Sequence, residues 1–282
     1  MPTLERAASD TTHTADEVPG LDEPLCSAAS GPSPDQDHDG RSQAALPAPG
    51  RTVPPWALFL LGLAVLAWSL VANWVIGDPG YTARNLLLTI TLLVVARGAG
   101  LAPAELGLER DRVYDGLRWG GGAAAVIAVV LVAGVLLADA LPGVATLLDD
   151  ERAQLEGSAL VSAALVRIPV GTAAFEETLF RGVLLAVFLR GTSLGRAALG
   201  TSALFGLWHV APTAVSLELN GVVASSPEGI AAIAGAVAVT TVAGLGFTWL
   251  KVRSGSLLAP VLAHWATNAF GLLAAAASRA LS

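Results

Sequence analysis

The chain has 282 residues, 54% of them hydrophobic and 14% charged, and its mean hydropathy is +0.63; this excludes an ordinary soluble domain and fits a polytopic membrane protein. The formal net charge is −7, and residues 1–51 hold −6 of it through nine acids and three bases. The acidity therefore belongs to one end of the chain, and the absence of a basic patch excludes nucleic acid as a partner.

Residues 1–52 are rich in Pro, Ser, Asp, Ala and Gly and show no apolar periodicity. They read as a disordered acidic tail, with residues 53–282 as the membrane domain. The single cysteine, Cys26, lies in the tail, which excludes an intrachain disulfide and a thiolate-rich metal site. The first apolar run starts only after this tail, so no cleaved signal peptide is expected.

After Pro54 and Pro55 come seven apolar segments, with cores near 56–76, 85–95, 120–137, 159–188, 196–210, 229–250 and 257–277. A spanning helix needs about 20 residues. The second segment reaches that length only by taking in residues 81–84 or 97–101, and the fourth is long enough to bend or continue past the bilayer. The expected fold is all-α, a bundle of about seven transmembrane helices. Residues 105–118, mixed in charge, are predicted to form a short helix at the membrane surface. Gly120, Gly121 and Gly122 follow no strand and carry no phosphate-loop lysine, so they are read as close helix packing.

Loop charge orients the bundle. With the tail inside, eleven basic residues fall inside and three, Arg84, Arg152 and Arg279, fall outside. Positive residues stay cytoplasmic, which predicts a multi-pass cell-membrane protein with a cytoplasmic N-terminus. The acidic 139–156 loop, with Asp149, Asp150 and Glu151, then lies outside.

The polar groups within the apolar segments carry the chemistry. Glu176 and Glu177 are adjacent in segment four, followed by Arg181. A carboxylate in a spanning helix costs several kcal/mol, and two neighbours repel one another. His209 lies in segment five; His264 and Asn268 lie in segment seven, on one helix face at i, i+4. At a rise of about 1.5 Å per residue, Glu176, His209 and Asn268 each lie ~21 Å from an inner helix end, and His264 ~15 Å. They can share one level. Arg181 alone could reach toward the inner surface, and Arg167 receives no role. Phe205, Trp208 and Trp265 read as packing or cavity walls.

Ser-His-Asp and Cys-His arrangements are not available, and His-Glu-x-x-His is absent. Carboxylate, imidazole and amide groups can activate water and hold an oxyanion. Glu and His side chains can alternatively bind Zn²⁺ and lower the pKa of its water. Two readings of other classes stand beside hydrolysis: a catalytically silent membrane scaffold, and a small-solute transporter with a Glu/His proton relay.

In three ordered motifs, Glu176-Glu177-x-x-x-Arg181, Phe205-x-x-x-His209 and His264-x-x-x-Asn268, the sequence resembles the CPBP family of CAAX proteases and bacteriocin-processing (Abi-type) intramembrane enzymes. The resemblance covers about 56–277 and is most secure over 171–268. It implies a membrane-embedded endopeptidase acting on membrane-associated peptides or proteins, with an immunity role in some bacterial relatives. In the mechanism inferred for that family, Glu176 and His209 position and deprotonate a water, and His264 and Asn268 stabilise the oxyanion. Glu177 and Arg181 support the site as a partly neutralising pair. Relatives are also named metalloproteases; that version makes Glu176, His209 and His264 candidate zinc ligands. No cofactor beyond zinc is implied.

Overall fold

Helix boundaries follow local chemistry. In a computed structural model that describes residues 52–77, 80–137 and 154–281, every regular element is helical. Helix α1 is Pro55–Leu70, opened by a proline that needs no hydrogen-bond acceptor, and it runs on as a π-helical turn, Val71–Ile76. Helix α2 is Tyr81–Gly98. Helix α3 is one turn, Pro103–Leu106, where a Glu105 oxygen accepts the Ala102 N–H at 2.7 Å and Gly107, at φ 74°, ends it. Helix α4 is Val113–Leu137. Helix α5 is a single rod, Gly157–Leu189, in which α-helical turns alternate with two π-helical stretches, Ala163–Ala173 and Thr178–Leu184. Then come α6, Leu194–Trp208, α7, Val210–Leu219, α8, Pro227–Ser254, and α9, Leu258–Leu281. The tail read at 1–52 lies outside the described residues apart from its last position, as do Asp149, Asp150 and Glu151.

The expected all-α membrane bundle is what the structure shows. Seven long helical rods are present among the described residues, and five are long and apolar enough to cross a membrane: Pro55–Ile76, Pro103–Leu137, Gly157–Leu189, Pro227–Ser254 and Leu258–Ala280. The other two are α2, with 18 residues, and α6, with 15. Segment two thus gains its length by taking in residues 81–84.

Three expectations change. Residues 105–118 do not form one surface helix: after α3 and a tight turn at Arg110–Arg112, residues 113–118 already belong to α4. Of the three consecutive glycines, only Gly120 packs closely. A Cβ there would lie 2.8 Å from the Ala259 carbonyl oxygen, whereas Gly121 and Gly122 face open space. Segment five is broken at His209 and continues as α7. The cause is Pro212, which has no N–H for the Trp208 carbonyl four residues back. Ser69 of α1 supplies the missing donor, its Oγ bonding to the Trp208 carbonyl oxygen at 2.8 Å.

Pro169 does the same inside α5. In a π-helix its absent N–H would serve Ala164, five residues back. The Trp265 indole of α9 takes that carbonyl instead, at 2.8 Å. The Gly171 carbonyl likewise accepts Asn85 Nδ2 of α2 at 2.7 Å. The irregular rod is therefore tied to α2 and α9 by side chains bonding its carbonyls.

Helix α9 packs against α4 and α5, α8 against α6, and α2 against α5. Gly206 and Gly244 let α6 and α8 meet: a Cβ on Gly206 would strike the Thr241 hydroxyl and lie 2.7 Å from the Val237 carbonyl oxygen. Phe175, Phe180, Phe205, Trp208 and Phe247 fill the core between α5, α6 and α8. At one end of the bundle Arg190 grips Glu105 with two bonds of 2.9 and 2.8 Å, Lys251 Nζ reaches the Glu105 carbonyl at 3.4 Å, and Leu257 N bonds the Gly107 carbonyl. These contacts tie the α2–α3, α5–α6 and α8–α9 turns together.

Candidate active site

Five of the six site residues come together on three elements. Helix α5 supplies Glu176, Glu177 and Arg181, the break after α6 supplies His209, and α9 supplies His264. Glu177, Arg181 and His264 are almost wholly buried, at 0, 1 and 3% exposure. Arg181 does not reach for the surface. Its Nη1 donates to Glu177 Oε1 at 2.9 Å, and its guanidinium lies 4.2 Å from the centre of the Phe205 ring and 5.2 Å from that of Phe247. A buried cation is tolerated where an ion pair and aromatic faces replace water.

Glu177 Oε1 accepts a second bond, from His264 Nδ1 at 2.8 Å. That contact places the ring proton on Nδ1 and leaves Nε2 bare in the neutral ring. His209 is set in the same way: its Nδ1–H donates to the Phe205 carbonyl oxygen at 2.7 Å, which leaves its Nε2 bare too. Both Nε2 atoms face one carboxylate oxygen, Glu176 Oε2, at 4.0 Å from His209 and 3.9 Å from His264. Glu176 Oε2 is buried and has no hydrogen-bond partner.

The other Glu176 oxygen is held. Trp208 Nε1 donates to Oε1 at 3.2 Å, so Trp208 is more than a cavity wall. A buried indole N–H usually finds an acceptor, and its place next to His209 was the sequence signal for this contact. Phe205 touches both imidazoles, with ring centres 4.6 Å from His209 and 5.8 Å from His264, while Phe247 stacks on His264 at 5.2 Å.

Asn268 lies one turn beyond His264 on α9, is exposed, and makes no hydrogen bond with the other five. Arg167 sits over the Tyr81 ring at 4.7 Å. The run Gly191-Thr192-Ser193-Leu194-Gly195 fits a Gly-x-Ser-x-Gly pattern, but it forms the exposed turn between α5 and α6. It is not the strand-to-helix elbow that activates such a serine.

Sequence reasoning missed a second polar wall. A cavity beside Glu176 is lined by Asn73, by Tyr81, Arg84 and Asn85 of α2, and by Trp208. The signal was present as polar residues interrupting the short second segment.

Three convergent lone pairs also constitute a metal donor set. Zinc at about 2.0–2.2 Å from each of its ligands places neighbouring ligand atoms about 3.4 Å apart. The observed 3.9 and 4.0 Å separations are wider by about half an ångström, and no group of three His, Cys, Asp or Glu side chains among the described residues is drawn tightly enough to hold an ion as placed. The donor chemistry fits, with each imidazole fixed through Nδ1 by a carboxylate or carbonyl.

Comparison with curated proteins and with solved structures gives no match. A family model described as Type II CAAX prenyl endopeptidase Rce1-like matches residues 158–270, a stretch that contains all six candidate site residues. Through this segment the chain is similar to the type II CAAX prenyl endopeptidases, and its five long apolar helices fit a multi-pass membrane protein.

Proposed function

We propose that the protein is an intramembrane endopeptidase in which Glu176 is the general base for water, acting on membrane-associated peptides or proteins. The observation that carries this reading is the Glu176 Oε2 atom, buried, without a partner, and faced by two bare Nε2 atoms at 4.0 and 3.9 Å. A water held there donates its protons to Glu176 Oε2 and His209 Nε2, and its oxygen lone pairs are left to attack a carbonyl. Glu176 takes the proton as the new C–O bond forms, and His209 orients the water. The tetrahedral oxyanion requires donors. His264 donates from Nε2 once that nitrogen has taken up a proton from water, with Glu177 as the counter-charge, and Asn268, exposed one turn on, would add an amide N–H only by turning inward. The proton on Glu176 passes to the leaving amine as the C–N bond breaks.

Glu177 and Arg181 support the site without reaching the substrate: Arg181 neutralises the carboxylate that fixes His264. Tail-inside topology belongs to the same proposal. It is supported by the basic turns that Glu105, Arg190 and Lys251 tie together at one end.

A second reading is favoured by the same three atoms. Glu176, His209 and His264 would hold Zn²⁺ if the side chains closed by about half an ångström. Bound zinc supplies a water of lowered pKa and polarises the carbonyl.

The experiment is a comparison of membrane-protein C-termini by mass spectrometry from cells expressing the unsubstituted chain and Glu176→Gln at equal level. New C-termini present only with the unsubstituted chain identify substrates. Identical C-termini, alongside a phenotype that the variant retains, would instead make the protein a silent scaffold.

A further inference from the structure

The Arg181 guanidinium is only half used by the site. Its Nη1 is committed to Glu177 Oε1 at 2.9 Å. Nε and Nη2, the other edge of the planar fork, are buried and have no hydrogen-bond partner among the described residues. Two hydroxyls share that condition, Ser202 Oγ of α6 and Thr248 Oγ1 of α8, on side chains only 0 and 2% exposed. Buried polar atoms in proteins are paired as a rule, so four unpaired ones on three neighbouring helices call for a common partner.

Gly244 of α8 brings the three helices together. A Cβ there would lie 2.9 Å from Arg181 Nη2 and 3.0 Å from Ser202 Cβ. Thr248 lies one turn further along α8, on the same face as Gly244. Neither hydroxyl makes the usual bond of a helical Ser or Thr. Thr201, Thr240, Thr241, Ser254 and Thr267 all donate to the carbonyl four residues back; Ser202 and Thr248 do not. Their hydroxyls are open to a ligand, as is the Nε–Nη2 edge.

Charge and bonding select that ligand. Arg181 already answers two carboxylates, Glu177 and Glu176, which leaves no positive charge to spare for an anion. The rings of Phe205 and Phe247, 4.2 and 5.2 Å from the guanidinium, leave little room beside it. A water molecule offers two lone pairs to the guanidinium edge and two protons to the hydroxyl oxygens, enough for the three or so bonds usual for a buried water.

We propose that Arg181, Ser202 and Thr248 bind one water behind the active site, and that Ser202 and Thr248 are positioning residues. With its second edge held, the guanidinium keeps Nη1 on Glu177, and Glu177 keeps its 2.8 Å bond to His264 Nδ1. The binding site stands by itself; its effect on turnover rests on the peptidase reading given above.

The test is a crystal structure of the full chain that resolves ordered water, grown with bromide in the medium, beside the same structure of Thr248→Val. The unsubstituted chain should show one peak within hydrogen-bond distance of Arg181 Nε or Nη2 and of both hydroxyls, without anomalous signal from bromide. Thr248→Val keeps the shape and loses the hydroxyl; the peak should go, and the 2.9 Å bond from Arg181 to Glu177 should lengthen. Thr248→Ser loses a methyl group and keeps the hydroxyl, so peak and bond should both remain. Should Thr248→Val not fold, Ser202→Ala replaces it with the same expectation. With a cleaved peptide, Thr248→Val should lower kcat about threefold to tenfold, the worth of one neutral hydrogen bond, at unchanged KM, while Thr248→Ser stays near normal.

No peak in the unsubstituted chain overturns the proposal, and a peak with bromide signal replaces the water by a halide and overturns it too. A peak that survives Thr248→Val, or is lost in Thr248→Ser, removes Thr248 from the site. An Arg181–Glu177 bond or a kcat unchanged in Thr248→Val overturns the positioning role. The structures need no turnover, so the two readings fail separately: a chain that cleaves nothing removes the peptidase reading and leaves the water site standing.

Discussion

The Trp208 indole donates to Glu176 Oε1 at 3.2 Å, from a residue 32 positions further along the chain. One carboxylate oxygen is thereby committed to α6, and the other, Oε2, is turned toward His209 and His264. Trp208 is a positioning residue in this account. Trp208→Phe keeps an aromatic ring against Phe175 and Phe180 and removes only the donor. Hydrogen bonds to a charged group contribute about 1.5–3 kcal/mol to stability, so Trp208→Phe should lower stability by about that amount, and kcat should fall about tenfold to a hundredfold with little change in KM. Trp208→Ala should in addition lower stability by about 3–5 kcal/mol, the usual result of emptying an aromatic core position. Steady-state kinetics and thermal unfolding in detergent separate the two effects.

The Glu177–Arg181 pair can be tested against its own double variant. With both side chains at 0–1% exposure and 2.9 Å apart, removing one strands the other in the core. Arg181→Met alone should cost about 3–5 kcal/mol. Glu177→Gln with Arg181→Met removes both charges and should recover much of that stability. Activity should stay low, because His264 then has an uncharged acceptor at Nδ1 and loses the counter-charge for its second proton. Thermal unfolding in detergent, paired with kcat, reads both outcomes.

Topology follows from charge. With the N-terminal tail inside, reporter fusions at Arg112 and Glu151 should give cytoplasmic and external signals respectively. The reverse pattern would invert the orientation and place the turns tied by Glu105 and Arg190 on the outer side.

Zinc divides the two hydrolytic readings. Under the water-base mechanism, purified active protein keeps its turnover after chelation to verified metal-free protein. Under the zinc mechanism it carries one equivalent, loses turnover on chelation and regains it with Zn²⁺. His264→Asn also discriminates, since under zinc ligation it should lower metal content as well as rate.

The helices were legible because burial in lipid demands unbroken apolar length, and the site because charge in such a segment has no packing role. Glu176, Glu177, Arg181, His209 and His264 stood out for that reason and do converge. What escaped depends on partners distant in the chain. Nothing near Pro212 announces that Ser69 will take the carbonyl it frees, nor near Pro169 that Trp265 will. The break at His209 and the first π-helical stretch of α5 lie at those exchanges. Arg84 and Asn85 were visible as polar residues in a short segment, but their place beside Glu176 requires α2 packed on α5.

The central claim is that Glu176 is the base. Its most direct test is turnover of one substrate peptide, chosen from the C-termini found in cells, by purified chain in nanodiscs with Glu176→Gln beside the unsubstituted protein. The variant keeps shape and the bond from Trp208 but has no basicity. The account predicts a fall in kcat of about 10²- to 10⁴-fold, with peptide affinity and thermal unfolding nearly unchanged. Near-normal kcat in Glu176→Gln, with Glu177→Gln inactive, would contradict it and move the base to the neighbouring carboxylate.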